Sequence, residues 1–184
     1  LTLAGCGGGD SDAGGTTPPP PPPPVTVTKA EAVQLLNQGG FGAIESDTQQ
    51  VVALGLEGWI DDQMQKPVSL QLPHVQSVPP PQFMFQLQED RVDIWFRNVV
   101  NGEDQLRQRV AFALSEILVV SQLGALAQAP FALADYYDVL ARNAFGSYRT
   151  LLEEVTLHPA MGVYLSMLGN EKPNPALNIR PDEN

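Results

Sequence analysis

An uninterrupted run of seven prolines, Pro18 to Pro24, constrains this 184-residue chain more than any other feature. Proline lacks a backbone N–H and has a fixed φ, so the run cannot form a helix interior or a central strand. It predicts a polyproline II spacer of roughly 22 Å, at about 3.1 Å per residue. Residues 7–17 are rich in Gly, Ser, Asp and Thr and bury too little apolar surface to offset their ordering entropy. We therefore interpret residues 7–27 as a disordered Gly/Ser/Pro-rich tether, although a proline run is also a ligand for aromatic grooves.

A short motif precedes the tether. Leu3-Ala4-Gly5-Cys6 resembles the lipobox of bacterial lipoproteins, in which small residues precede a cysteine that becomes lipidated. Residues 1–6 are then the remnant of a lipoprotein signal peptide, and Cys6 carries several acyl chains, each buried methylene contributing about 0.8 kcal/mol to membrane binding. The alternative is that Cys6 is an unmodified free thiol near the N-terminus. The resemblance implies export, with Gly7 in place of an Asp favouring the outer membrane, on its periplasmic or surface face.

The composition argues against several classes of protein. The chain has 21 acidic and 10 basic residues, for a net charge of −11, which argues against a nucleic-acid surface because such surfaces need clustered Lys and Arg. Its one cysteine excludes an internal disulfide framework and cysteine-rich zinc patterns. No stretch of about 18 apolar residues occurs, so no complete transmembrane helix is present. The 160 residues after the proline run have the size of one ordinary domain.

Helix signals recur from residue 28 onward, and strand signals hardly occur. Thr28 to Glu31 and Ser46 to Gln49 both have the spacing of a capping box, and Gly55 ends the segment that follows the second. Residues 67–82 contain five prolines and are interpreted as an irregular surface crossing. These patterns predict an all-α fold, an irregular multi-helix bundle over residues 28–184.

Two predicted helices carry charges that need partners. The segment 103–122 has an apolar stripe of more than half its circumference, which predicts a buried central helix. Arg107, Arg109 and Glu116 lie in it, and buried charges are costly unless they are paired. The next predicted helix, 130–145, carries Asp135, Asp138 and Arg142 along one face. We expect these residues to form structural ion pairs: Arg107 with Glu103, Arg109 with Glu116 or with an acid of a neighbouring helix, and Asp138 with Arg142 or the central arginines.

Several segments, in order, resemble the N-terminal part of a bacterial family, domain of unknown function 1800, over about residues 28–184. The resemblance implies the helical architecture and an exported protein, but no reaction. In the family, the last motif runs on into Tyr-Ala-Arg-Glu and a long C-terminal half, so the sequence is interpreted as truncated. The matching segments are Leu106-Arg107-Gln108-Arg109-Val110-Ala111-Phe112-Ala113-Leu114-Ser115-Glu116, Tyr136-Tyr137-Asp138, Asn143-Ala144-Phe145-Gly146-Ser147-Tyr148-Arg149, Leu151-Leu152-Glu153, Val155-Thr156, His158-Pro159-Ala160-Met161-Gly162, Tyr164-Leu165, Gly169-Asn170 and Pro181-Asp182-Glu183-Asn184.

Candidate functional residues all have structural alternatives. Asp182 and Glu183 are candidate ligands for Ca²⁺ or Mg²⁺, but Asp182 after Pro181 is also a good helix N-cap. The pair Asp135 and Asp138 suits acid–base or metal chemistry, with ion pairing to arginine as the favoured alternative. His158 is a candidate base, and a histidine before a proline more often caps a helix. Ser115 lacks the Gly-x-Ser-x-Gly context of a nucleophile.

Two functions from different classes follow. The first is a lipid-anchored binding or scaffold module of the cell envelope, with a protein or an envelope polymer as partner. The second is an exported enzyme, such as a metal-assisted hydrolase that uses a divalent cation, with part of its site in the family's C-terminal half. The second predicts that Asp182, Glu183 and the Asp135 face converge within about 4–6 Å, close enough to couple electrostatically.

Overall fold

The computed structural model describes residues 26–79 and 84–181, which contain eight α-helices and no β-strand. The all-α prediction is therefore confirmed, while the lipobox and the Gly/Pro-rich tether up to residue 25 lie outside the described residues. Two short 3-10 helices, Gly124–Leu126 and Pro175–Leu177, are also present in these residues. The helices are α1 (Lys29–Gly39), α2 (Glu45–Gln65), α3 (Leu72–Ser77), α4 (Met84–Asn101), α5 (Gln105–Ser115), α6 (Pro130–Asn143), α7 (Tyr148–Leu157) and α8 (Pro159–Tyr164).

Helix α6 is the centre of the bundle and contacts α3, α4, α5, α7 and α8. Its side chains are buried on more than one face, which explains why it contributes more residues to the main apolar cluster than any other helix. Two smaller clusters flank this one, one between α1 and α2 around Trp59 and one where α3 meets α4 around Val75. The buried residues of α6 are Pro130, Leu133, Ala134, Tyr136, Asp138, Val139, Leu140 and Ala141.

The prediction of a central buried helix over residues 103–122 was wrong. Helix α5 ends at Ser115, where Ile117 and Leu118 both return their N–H groups to the Leu114 carbonyl and turn the chain. The apolar stripe therefore does not continue along one axis, and Ile117 is 71% exposed. The residues of α5 that are buried are Gln108 and Ala111.

Local signals for helix boundaries were right at two of three positions. The first capping box forms as predicted, with the Glu31 N–H donating to Thr28 Oγ1 at 3.3 Å and the Thr28 N–H donating to Glu31 Oε2 at 2.8 Å. The second capping box does not form, because α2 begins at Glu45, one residue before Ser46, the expected N-cap. Gly55 interrupts α2 as predicted, with φ 80° and ψ 166°, a conformation that residues with a Cβ rarely adopt.

The proline-rich crossing is only partly irregular. It contains α3, with Pro73 in the first turn, where the missing N–H removes no helical hydrogen bond. Val75 is fully buried, so this segment is packed into the bundle and is not a surface loop. None of the helices in residues 26–79 and 84–181 combines the length and apolarity of a membrane span.

Candidate functional site

Helix α6 and the start of α8 bring together three of the charged residues that the sequence singled out. Asp135 lies between two of them: its Oδ2 is 3.2 Å from His158 Nε2, and its Oδ1 is 3.5 Å from Arg142 Nη2. The Asp135 side chain is 41% exposed, whereas that of His158 is 6% exposed. A groove of about 520 Å³ borders His158, with Glu153 and Glu154 on its rim. This cluster is the strongest candidate for acid–base chemistry that the sequence predicted.

Asp138 lies one turn further along α6, and its buried carboxylate accepts hydrogen bonds from the backbone. Its two oxygens accept hydrogen bonds from the N–H groups of Gln71 and Leu72, at 2.7 and 2.9 Å. These N–H groups belong to the start of α3, where the first turn of a helix has no internal partners. The predicted partner of Asp138, Arg142, forms its ion pair with Asp135 instead. Burial raises the pKa of Asp138 to about 6, against the effect of the two N–H bonds and of Arg142.

His158 is held at both ring nitrogens. Nδ1 accepts a hydrogen bond from the Ala160 N–H at 3.1 Å, so the ring is the N-cap of α8, as the sequence predicted. In that tautomer the proton is on Nε2, which donates to Asp135. A catalytic His–Asp pair directs the second nitrogen at a nucleophile or substrate, and here a backbone N–H occupies that position. The geometry therefore favours a structural role for His158.

Sequence reasoning missed Asp104, which is completely buried. It accepts hydrogen bonds from the Ser69 N–H at 2.9 Å, the Ser69 hydroxyl at 2.6 Å and Gln108 Nε2 at 3.0 Å. Together with Asp138, it ties the segment 69–72 to α5 and α6. The sequence held only a weak signal for this role, because an Asp directly before a helix commonly caps that helix. The Asp104 side chain, however, accepts no backbone N–H of its own helix.

The arginines of α5 contact aromatic rings and carbonyls. Arg107 lies 4.5 Å from the centroid of the Phe145 ring and donates to the Ala141 and Met64 carbonyls, both at 3.4 Å. Among the ion pairs of the described residues, none joins Arg107 to Glu103 as predicted.

Arg109 likewise differs from its prediction. It lies 5.5 Å from the Phe41 ring and 5.9 Å from the Phe112 ring, a cation–π arrangement. Among the ion pairs of residues 26–79 and 84–181, none joins Arg109 to Glu116 as predicted.

The remaining candidates divide into two groups. Ser115 donates its hydroxyl to the Phe112 carbonyl at 2.7 Å, an arrangement that uses its proton locally. Cys6, Asp182 and Glu183 lie outside the described residues, so their predicted lipid and metal roles stay predictions. Within the part of the chain that is described, no three His, Cys, Asp or Glu side chains are grouped so as to hold a metal ion.

Residues 34–184 match the family described as Protein of unknown function (DUF1800). The chain belongs to this family. The match confirms the resemblance drawn from the motifs between Leu106 and Asn184, and it covers all eight helices except the start of α1. No curated protein and no solved structure matched the chain. The description of the DUF1800 family assigns no activity, so function has to be argued from the residues themselves.

Proposed function

We propose that this protein is an exported, lipid-anchored binding module of the bacterial cell envelope, held at the outer membrane through Cys6. The observation that carries the proposal is the motif Leu3-Ala4-Gly5-Cys6, followed at once by a Gly/Ser/Pro-rich segment. Several acyl chains on one cysteine hold a protein firmly, whereas a single chain binds reversibly. The helical domain then begins at the capping box of Thr28, about twenty residues beyond the anchor.

Binding is favoured over catalysis by the way the charged side chains are used. Asp104 and Asp138 accept backbone N–H groups in the interior, and His158 uses both ring nitrogens in packing α8. A general acid or base needs a proton site that faces its substrate. These three residues present none, so the acidic domain is better suited to bind a protein or an envelope polymer.

Metabolic labelling tests the anchor. The full reading frame is expressed in a Gram-negative host with an alkyne-bearing fatty acid, and the purified protein is probed for incorporated label. We expect strong labelling of the wild type and loss of labelling in Cys6→Ser. The matched control combines Cys6→Ser with Ser11→Cys, which keeps one thiol in the same segment but moves it out of the motif, and we expect no label. Equal labelling of the wild type and Cys6→Ser would show that Cys6 carries no lipid anchor.

A second candidate, an exported and metal-assisted hydrolase, is favoured by one observation. The Asp135 carboxylate is 41% exposed, and a groove of about 520 Å³ borders its neighbour His158. Elemental analysis of the purified full-length protein tests it directly. Stoichiometric divalent metal that is lost in Asp135→Asn would favour the hydrolase over a pure binding module, and metal-free protein would argue for the module.

A further inference from the structure

A small pocket between α4, α5 and α6 has an arginine in an aromatic wall. Its volume is about 200 Å³, and its apolar lining comes from Trp95 of α4, Phe112 of α5 and Tyr137 of α6. The Trp95 and Phe112 rings lie 6.0 Å apart and tilted by 40°, so they form one continuous apolar face. Arg91 also lines the pocket. The cavity is therefore small, mainly aromatic and cationic at one point.

Arg91 is buried without a counter-ion. It is 6% exposed, and its Nε and Nη2 donate to the side-chain oxygens of Gln88 at 3.1 Å and Gln122 at 2.7 Å. Its guanidinium lies 5.2 Å from the centroid of the Tyr137 ring. All of these partners are neutral, and no ion pair of residues 26–79 and 84–181 includes Arg91.

Such a charge is costly in a protein interior. A buried cation is normally paired with a carboxylate, because neutral acceptors replace only part of its hydration. Burial accordingly lowers the pKa of Arg91. The hydrogen bonds to Gln88 and Gln122 hold the guanidinium in place at the pocket and leave its charge uncompensated. An anion in the pocket would supply the missing partner.

The chemistry of the lining selects the kind of anion. A guanidinium fork matches the two oxygens of a carboxylate, and aromatic faces favour a flat apolar body. Glu116 also lines the pocket, and its carboxylate repels multiply charged anions such as phosphate monoesters more strongly than a monoanion. The volume lies below the range of about 300–1,000 Å³ that is usual for drug-sized ligands. We propose that this pocket binds a small aromatic carboxylate, with its carboxylate on Arg91 and its ring against Trp95, Phe112 and Tyr137.

The proposal goes beyond the binding role proposed above, because a small aromatic carboxylate is neither a protein nor an envelope polymer. Its test uses the purified chain in solution and does not involve Cys6. Failure of this test therefore leaves the lipidation result standing, and failure of the lipidation test leaves this one standing.

Tryptophan fluorescence provides the measurement, because Trp95 lines the pocket while Trp59 is buried in the cluster between α1 and α2. The full chain is titrated with benzoate and, separately, with benzamide, which has the same shape without the charge. We expect a saturable change with benzoate and at least about tenfold weaker binding of benzamide, equivalent to one charge-assisted hydrogen bond. Trp95→Phe is expected to abolish most of the fluorescence change.

Two arginine variants test whether benzoate binds to the charge of Arg91. Arg91→Gln is expected to weaken benzoate binding by about tenfold or more, while Arg97→Gln, which removes an exposed arginine from the same helix, leaves it unchanged. Circular dichroism shows whether Arg91→Gln remains folded. If it does not, the benzoate and benzamide titrations of the wild type decide the question. Equal binding of the two ligands, or no saturable response up to roughly 10 mM benzoate, would overturn the proposal.

Discussion

Asp138→Asn is the substitution whose effect the structure determines most closely. The Asp138 side chain is 1% exposed and accepts two backbone N–H groups at the start of α3. Burial raises its pKa from an ordinary value of 3.8 to about 6, because the lost hydration outweighs the two N–H bonds and the nearby Arg142. The ionised form is therefore the less favourable one in the folded protein.

The direction of the pH effect follows from proton binding. Between the two pKa values, the folded state keeps the Asp138 proton and the unfolded state has lost it, so the free energy of unfolding falls as pH rises. The stabilisation is fully present below about pH 4 and is lost as pH rises through about 6, a total of about 3 kcal/mol. Since the isoelectric point is about 4.4, the measurement belongs above that pH. From about pH 5 to about pH 7.5, the linkage relation gives a loss of about 1.4 kcal/mol.

An asparagine at this position is a stand-in for the protonated acid, because it is neutral and has one accepting oxygen and one donating group. The variant lacks the pH-dependent term of Asp138. We therefore expect the free energy of unfolding of the wild type, minus that of Asp138→Asn, to fall by about 1.4 kcal/mol over this pH range. Urea denaturation followed by circular dichroism measures both proteins at each pH.

The control is Asp93→Asn, which removes the same charge from an exposed position on α4. Its difference from the wild type is expected to change much less with pH. If the difference for Asp138→Asn stays constant or grows with pH, the N–H bonds outweigh burial, and the reasoning about this carboxylate is refuted.

Three further predictions concern stability and are checked by urea denaturation at neutral pH. Thr28→Ala removes the capping box of α1 and is expected to lower the free energy of unfolding by about 1 kcal/mol; no change would mean that the box contributes nothing. Gly55→Ala places a Cβ at φ 80° and is expected to destabilise by about 1–2 kcal/mol, whereas Gly58→Ala, within regular helix, is expected to be neutral or stabilising by up to about 1 kcal/mol. Equal effects of the two would contradict the assigned backbone. Asp104→Ala leaves the partly buried Ser69 N–H without its carboxylate partner, at a cost of about 1–3 kcal/mol, and Asp104→Asn should recover most of this because an amide can still accept that N–H and donate to the Ser69 hydroxyl.

The features that the sequence predicted correctly depend on neighbouring residues. The capping box of Thr28, the interruption at Gly55 and the cap of α8 by His158 each involve partners within four positions along the chain. Their geometry is therefore set by the local backbone. The resemblance to the DUF1800 family, also correct, depends on motifs that are read directly from the chain.

The features that it missed join distant positions. Asp104 and Asp138 contact residues 35 and 67 positions away, so no local pattern distinguishes them from surface or ion-pair carboxylates. On helix α4, too, the type of residue does not match its burial. Val100 is apolar and yet 69% exposed, whereas the polar residues Arg91 and Asn98 are buried on that helix. Apolar periodicity cannot identify a buried arginine, because its place depends on a pocket formed by three helices.

Mass spectrometry of the N-terminal peptide tests whether the protein is exported and anchored by lipid at Cys6. The protein is expressed from its full reading frame in a Gram-negative host, extracted from membranes with detergent and digested. We expect an N-terminal peptide that begins at Cys6 and carries a thioether-linked diacylglycerol and an N-acyl chain. An N-terminal peptide that begins upstream of Cys6 and retains an unmodified thiol would contradict it.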